Sequence, residues 1–138
     1  MSQIARELSS ELHDALALMR ATWEQGRIFS QMGRKDHALA CLQQSHAIGQ
    51  RLGDQDSAAD QLLEIAEVQQ DLGKPDAALA TLQEALAVCE RTGRSGSVAP
   101  LLRTIGEIYE QQGHLAEALE SYERASRPAD STERQRTT

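Results

Sequence analysis

Aromatic side chains are nearly absent from this sequence: one Trp, one Phe and two Tyr, 3% of 138 residues. Runs of Val, Ile and Thr are also scarce. Strands draw on these residue types, so a β-sandwich or barrel is not expected. Two cysteines, Cys41 and Cys89, are too few for a disulfide framework. Both fall in apolar helical pattern, where thiols act as small buried hydrophobes. No stretch approaches the roughly 18–20 apolar residues that cross a bilayer. The opening Met-Ser-Gln-Ile-Ala-Arg-Glu-Leu lacks the basic-then-apolar order of a secretory signal, and a cytoplasmic protein is expected. Positive charge is short too: 14 Lys and Arg against 21 Asp and Glu, a net charge of −7. That balance argues against a nucleic-acid module, which carries a basic patch, and against docking on anionic membranes.

Chemistry-bearing constellations are missing as well. His13, His37, His46 and His114 are scattered with no metal-binding spacing, and neither cysteine has a local ligand partner. His46 lies on an apolar helix face and reads as a packing residue. Gly93-Arg94-Ser95-Gly96-Ser97 reads as a flexible connector; it lacks the Lys and the spacing of a phosphate loop. The carboxylates lie on helix surfaces, their ordinary solvated place. No enzyme, metal or cofactor is expected.

What the chain has in abundance is Ala, Leu, Gln and Glu, all strong helix formers, and a repeat. Thr22–Leu42, Leu62–Leu82 and Leu102–Tyr122 align without gaps at a constant offset of 40 residues. Gly33, Gly73 and Gly113 coincide, as do Ala38, Ala78 and Ala118, and Leu39, Leu79 and Leu119. Gly26, Ala66 and Gly106 form a small-residue column, and Ser45, Ala85 and Ala125 another. Gly53 and Gly93 lie between units at the same interval.

Each column has a physical reason. Glycine takes the left-handed conformation that closes a helix. Pro75, just past Gly73, suits a first helical turn, and Asp36 and Asp76 place negative charge at a helix start. Small residues let two helices approach closely. Apolar steps of three and four, as in Leu62, Ile65, Ala66 and Val68, are the helical period. Two helices per unit follow: helix A over 15–32, 56–72 and 97–112, and helix B over 35–52, 75–92 and 115–127.

These residues resemble the tetratricopeptide repeat. Gly26, Phe29, Gly33, Ala38, Leu42 and Ser45 fit its pattern in the first unit. Leu62, Ile65, Ala66, Gly73, Ala78, Leu82 and Ala85 fit in the second, and Leu102, Ile105, Gly106, Tyr109, Gly113, Ala118, Tyr122 and Ala125 in the third. The common repeat has about 34 residues; the longer period here is similar to that of kinesin light chains and several bacterial regulators. Gln25 stands in an apolar column and Gln69 in an aromatic one, and the terminal Pro of the pattern is replaced by Gln50, Glu90 and Asp130.

The resemblance implies an all-α, right-handed solenoid of three helix-turn-helix units: residues 15–54, 55–94 and 95–127. Residues 128–138 form a polar tail expected to be disordered. Residues 1–14 stand before the first unit. Ala5, Leu8, Leu12 and Asp14 echo Ser45, Ile48, Leu52 and Asp54, so a half-repeat helix over 2–13 is expected, the alternative being a plain extension of the first helix A. At the other end, Ser121, Ser126 and Pro128 replace larger or apolar residues of the earlier units, a partly self-capping end. Three units are close to the minimum for a stable solenoid.

By the same resemblance the A helices line a concave groove that takes a peptide or helix. The mapped columns give Arg20, Trp23, Glu24, Arg27 and Ser30 in the first unit. The second gives Asp60, Leu63, Glu64, Glu67, Gln70 and Asp71, and the third Arg103, Thr104, Glu107, Glu110 and Gln111. The pattern lacks the Asn that family members use to grip a terminal carboxylate, and it turns acidic after the first unit. A protein partner carrying Lys or Arg is therefore expected, with Trp23 as an anchor. Two alternatives stand beside this adaptor role: a homo-oligomeric scaffold joined through exposed solenoid ends, and, by resemblance, a regulatory subunit in bacterial signalling or transcription.

Overall fold

The computed structural model describes residues 2–127. Six α-helices follow one another: α1 (Gln3–Gln31), α2 (Lys35–Arg51), α3 (Ala58–Asp71), α4 (Pro75–Thr92), α5 (Val98–Gln111) and α6 (Leu115–Ser126). Ser95–Ser97 form one 3₁₀ turn inside the expected connector, and no strand occurs among the described residues. Each helix packs chiefly against its neighbours in the chain. The result is an all-α solenoid of three hairpins, α1–α2, α3–α4 and α5–α6.

The turns explain the hairpins. Gly33, Gly53, Gly73, Gly93 and Gly113 are the described residues with positive φ, all between 70° and 82°. An L side chain is strained there. Past each glycine, the next amide reaches back to the last turn of the helix: Arg34 to the Phe29 carbonyl at 2.9 Å, Lys74 to Gln69 at 2.9 Å, and His114 to Tyr109 at 2.8 Å. The same bond joins Asp54 to Gly49 and Arg94 to Cys89. These Schellman closures satisfy carbonyls that the helix end would leave unpaired.

The core runs along the stack rather than sitting at one centre. Ala38, Leu42, Ala66, Ala78, Leu82, Ala85, Leu101 and Ile108 are all at most 1% exposed. Ser45 is a polar member of a small column. It is fully buried, and its hydroxyl donates to the Met19 carbonyl of α1 at 2.7 Å, which removes the cost of burying it. The units are also tied through their connectors. Asp54 accepts bonds from the Asp56 amide and the Ser57 hydroxyl, and Asp56 pairs with Arg94 at 3.1 Å.

The structure decides between the two readings of the N-terminus and refines the reading of the other end. Residues 2–13 do not form a separate half-repeat helix: α1 runs unbroken from Gln3, capped by the Ser2 hydroxyl. The reason is local. His13 stands at the position of Gly53 and Gly93, and without a left-handed residue there the helix continues. Its first turns leave Ile4, Leu8 and Leu12 exposed. Ser121, read as part of a polar outer end, is 7% exposed and bonds the Glu117 carbonyl. Pro128 and the tail lie outside the described residues.

Two glycines at close helix crossings differ in how much their neighbours can yield. A Cβ on Gly26 would stand 2.8 Å from Leu42 Cδ2 and 3.2 Å from Cys41 Cβ. One on Gly106 would stand 2.8 Å from the Tyr122 ring. Leu42 is 1% exposed and has nowhere to go, whereas Tyr122 is half-buried and can swing outward. Alanine gains about 0.5–1 kcal/mol over glycine within a helix, and overpacking costs about 1–3 kcal/mol. Gly26→Ala should therefore lose about 1–2 kcal/mol in chemical denaturation, while Gly106→Ala stays within about 0.5 kcal/mol of the parent. Equal losses would contradict this account.

Candidate functional site

The A helices α1, α3 and α5 stand in a row, and the mapped residues fall along it. Between α1 and α3 lies a cleft of about 310 Å³. Arg27, Ser30 and Gln31 line it from α1, and Glu64, Glu67, Val68 and Asp71 from α3. Lys35 and Leu42 reach in from α2. Leu42 and Val68 are buried, so the cleft has an apolar floor and charged walls.

Its cations are already engaged. The Lys35 ammonium donates to the Ser30 hydroxyl at 2.9 Å and pairs with Asp71 at 3.2 Å. Arg27 pairs with Glu24 on its own helix at 3.5 Å, both side chains being at least half exposed. Such a pair contributes little stability. Glu64 and Glu67 belong to no ion pair among the described residues.

The electrostatics follow from this arrangement. Partial burial pushes the Glu64 carboxyl above its ordinary value; nearby Arg27 opposes the shift, and Glu67, Asp60 and Glu24 add to it. Glu67 is raised first by burial and then by the negative charges of Asp71 and Glu107. Desolvation and like-charge crowding both disfavour the ionised form. Glu64 and Glu67 thus hold their charge at a cost.

The row continues onto α5. Gln70 Nε2 donates to Gln111 Oε1 at 3.2 Å and ties α3 to α5. The Tyr122 hydroxyl of α6 donates to Glu110 at 2.9 Å. The structure therefore brings Arg27, Glu64 and Glu67 to one cleft, sets Asp60 and Glu107 beside them electrostatically, and ties Gln70 and Glu110 into bonds between helices. Arg20 and Arg103 are exposed. Trp23 and Leu63 are half-buried and pack against the apolar cluster.

Column mapping did not place Lys35, Gln31, Leu42 or Val68 in the cleft. Lys35 opens α2, at a position where the other units carry Pro75 and Leu115. A repeat pattern cannot flag a residue that occurs in one unit only. Among the described residues, no group of three or more His, Cys, Asp or Glu is placed to hold a metal ion, and no helix is long and apolar enough to cross a membrane.

The tetratricopeptide repeat profile matches residues 58–127, half of the chain. The tetratricopeptide domain of Arabidopsis FLU superimposes with a TM-score of 0.76 at 17% identity, covering 90% of this chain and 99% of that one; the likeness is one of fold. The tetratricopeptide-like repeats of a kinesin light chain protein from Podosopora anserina align at 26% identity and a TM-score of 0.66. That alignment covers 80% of this chain and 54% of the other, so the chain spans about half the length of that relative. No curated protein matches the sequence. The profile spans the second and third hairpins, the first repeats them at the same interval, and on that footing the chain belongs to the tetratricopeptide repeat family.

Proposed function

We propose that the A-helix face binds a segment of another protein rich in Lys or Arg, and that the chain works as an adaptor. Tetratricopeptide domains mediate protein–protein contacts; the charge preference is read from this chain's own face. One observation carries it: Glu64 and Glu67 sit partly desolvated over an apolar floor with Asp60, Asp71 and Glu107 nearby, and neither forms an ion pair among the described residues, although Arg27 partly offsets the charge of Glu64. A cation from a partner relieves that repulsion, and its aliphatic stem covers Leu42 and Val68. We place the protein in the cytoplasm, in keeping with its two free thiols, Cys41 and Cys89.

Trp23, the single tryptophan, packs beside this face and reports binding by fluorescence. A helical peptide bearing Lys and Arg on one face should bind, and its Glu-substituted counterpart should not. Exposed charges are screened over about 8–10 Å at physiological ionic strength, so affinity should fall as salt rises. Reversing two charges, Glu64→Lys with Glu107→Lys, should weaken binding about tenfold. Equal binding of both peptides, or indifference to the double reversal, refutes the charge assignment.

The raised carboxyls set a pH dependence. Glu64 and Glu67 take up protons at a higher pH than ordinary carboxylates, so affinity for the basic peptide should begin to decline on acidification before ordinary surface carboxylates protonate. Folding stability moves the other way. A carboxyl raised in the folded state contributes stability below its unfolded value and loses it as pH rises through the folded value. Glu67→Gln should therefore raise the melting temperature at about pH 7 and leave it unchanged near pH 4, as read by thermal scans.

A further inference from the structure

The two ends of the solenoid expose the residue columns that its interior buries. On α3 and α5, one side packs under the preceding helix B. Val68 and Ile108, both on that side, are 5% and 0% exposed. The same column on α1 holds Ile28, which is 53% exposed, and Met32, one turn on, is 60% exposed. At the opposite end, Leu39 and Leu79 of the inner B helices pack on the apolar cluster. Leu119, in their column on α6, is 59% exposed, and Leu115 is 66% exposed.

We infer that the free face of α6 docks on the free face of α1 of a second copy, head to tail, repeating between molecules the contact made twice within one. The inner interfaces state what covers such a face. Helix B lies on the next helix A at α2–α3 and again at α4–α5. Two contacts fix the register of the first: Lys35 with Asp71, and His46 with Gln61 at 3.2 Å. Carried to the ends at the 40-residue period, the first contact sets Leu115 beside Gln31 of the second copy, next to its Met32, and the second contact sets Leu119 opposite its Ile28. It also sets Ser126 beside Ala21. Large side chains meet large ones, and the small pair falls where α6 stops.

Two features temper the strength of the contact. Gln25 stands where Ile65 and Ile105 are buried, and α6 has 12 residues against 17 and 18 in α2 and α4. The contact is therefore weaker than its inner counterparts and responds to concentration. It is heterologous: every added copy presents a new free end, so growth is open rather than closed at a dimer. The inference rests on exposed ends and does not depend on the groove reading.

Sedimentation of the 138-residue chain over a concentration series tests it. The average mass should rise steadily above the 15.1 kDa monomer without a plateau at two copies. Ile28→Glu and Leu119→Glu each spoil one end, and each alone should remain monomeric with an unchanged helical spectrum. Mixed, they should form a complex of two copies and no more, because one variant keeps an intact tail and the other an intact head. A parent that is monomeric throughout overturns the inference. So does a closed dimer that Ile28→Glu alone abolishes, or a mixture of the two variants that fails to associate.

Discussion

A chain reversal that only glycine makes without strain, set at constant intervals, is the constraint on which the rest of this protein depends. At Gly33, Gly73 and Gly113 it folds each unit into a hairpin, and at Gly53 and Gly93 it returns the chain to begin another. Because the interval does not vary, each hairpin meets the next in the same way. Small residues at Gly26, Ala66, Ala78 and Ala85 then set how near the helices lie. Side-chain packing supplies the free energy, but the turns decide which side chains can meet.

Uniform stacking also produces the charged face. A side chain at one helical position recurs beside its counterparts in neighbouring units. Glu67 and Glu107 share a column and feel one another across α3 and α5. In the first unit that column holds Arg27. The face is thus polarised along the stack, basic at one end and acidic beyond. Lys35 adds to the basic end while neutralising Asp71, which leaves the uncompensated charge at Glu64 and Glu67.

Much of this was legible in the sequence, for reasons visible in particular residues. The turn glycines and the Ala and Leu columns have one physical role each, so position alone reveals them. The observed helices begin and end within a few residues of those read from the spacing, apart from the start of α1. That start stays open between two readings in the sequence because Ala5, Leu8 and Leu12 carry the spacing of a helix B. What decided the outcome was the missing glycine at His13, a single residue against a pattern of several. The cleft was half legible. Its acidic wall follows from helix periodicity, while the contribution of Lys35 depends on how far a long side chain reaches from a different helix. Trp23 was beyond pattern reading too, since a column assigns a side chain to a face without saying how deeply it sinks.

The unbroken α1 gives the molecule a shaft. It is 29 residues long against 17 in its partner α2, and at 1.5 Å per residue it projects about 18 Å past the hairpin. A shaft transmits orientation as a tether does not. Lengthening this projection by one residue would turn anything joined to its tip by about 100° around the helix axis, while advancing it only about 1.5 Å. For anything fused to that tip, the direction in which the solenoid presents its face would be written in residue count and change in discrete angular steps.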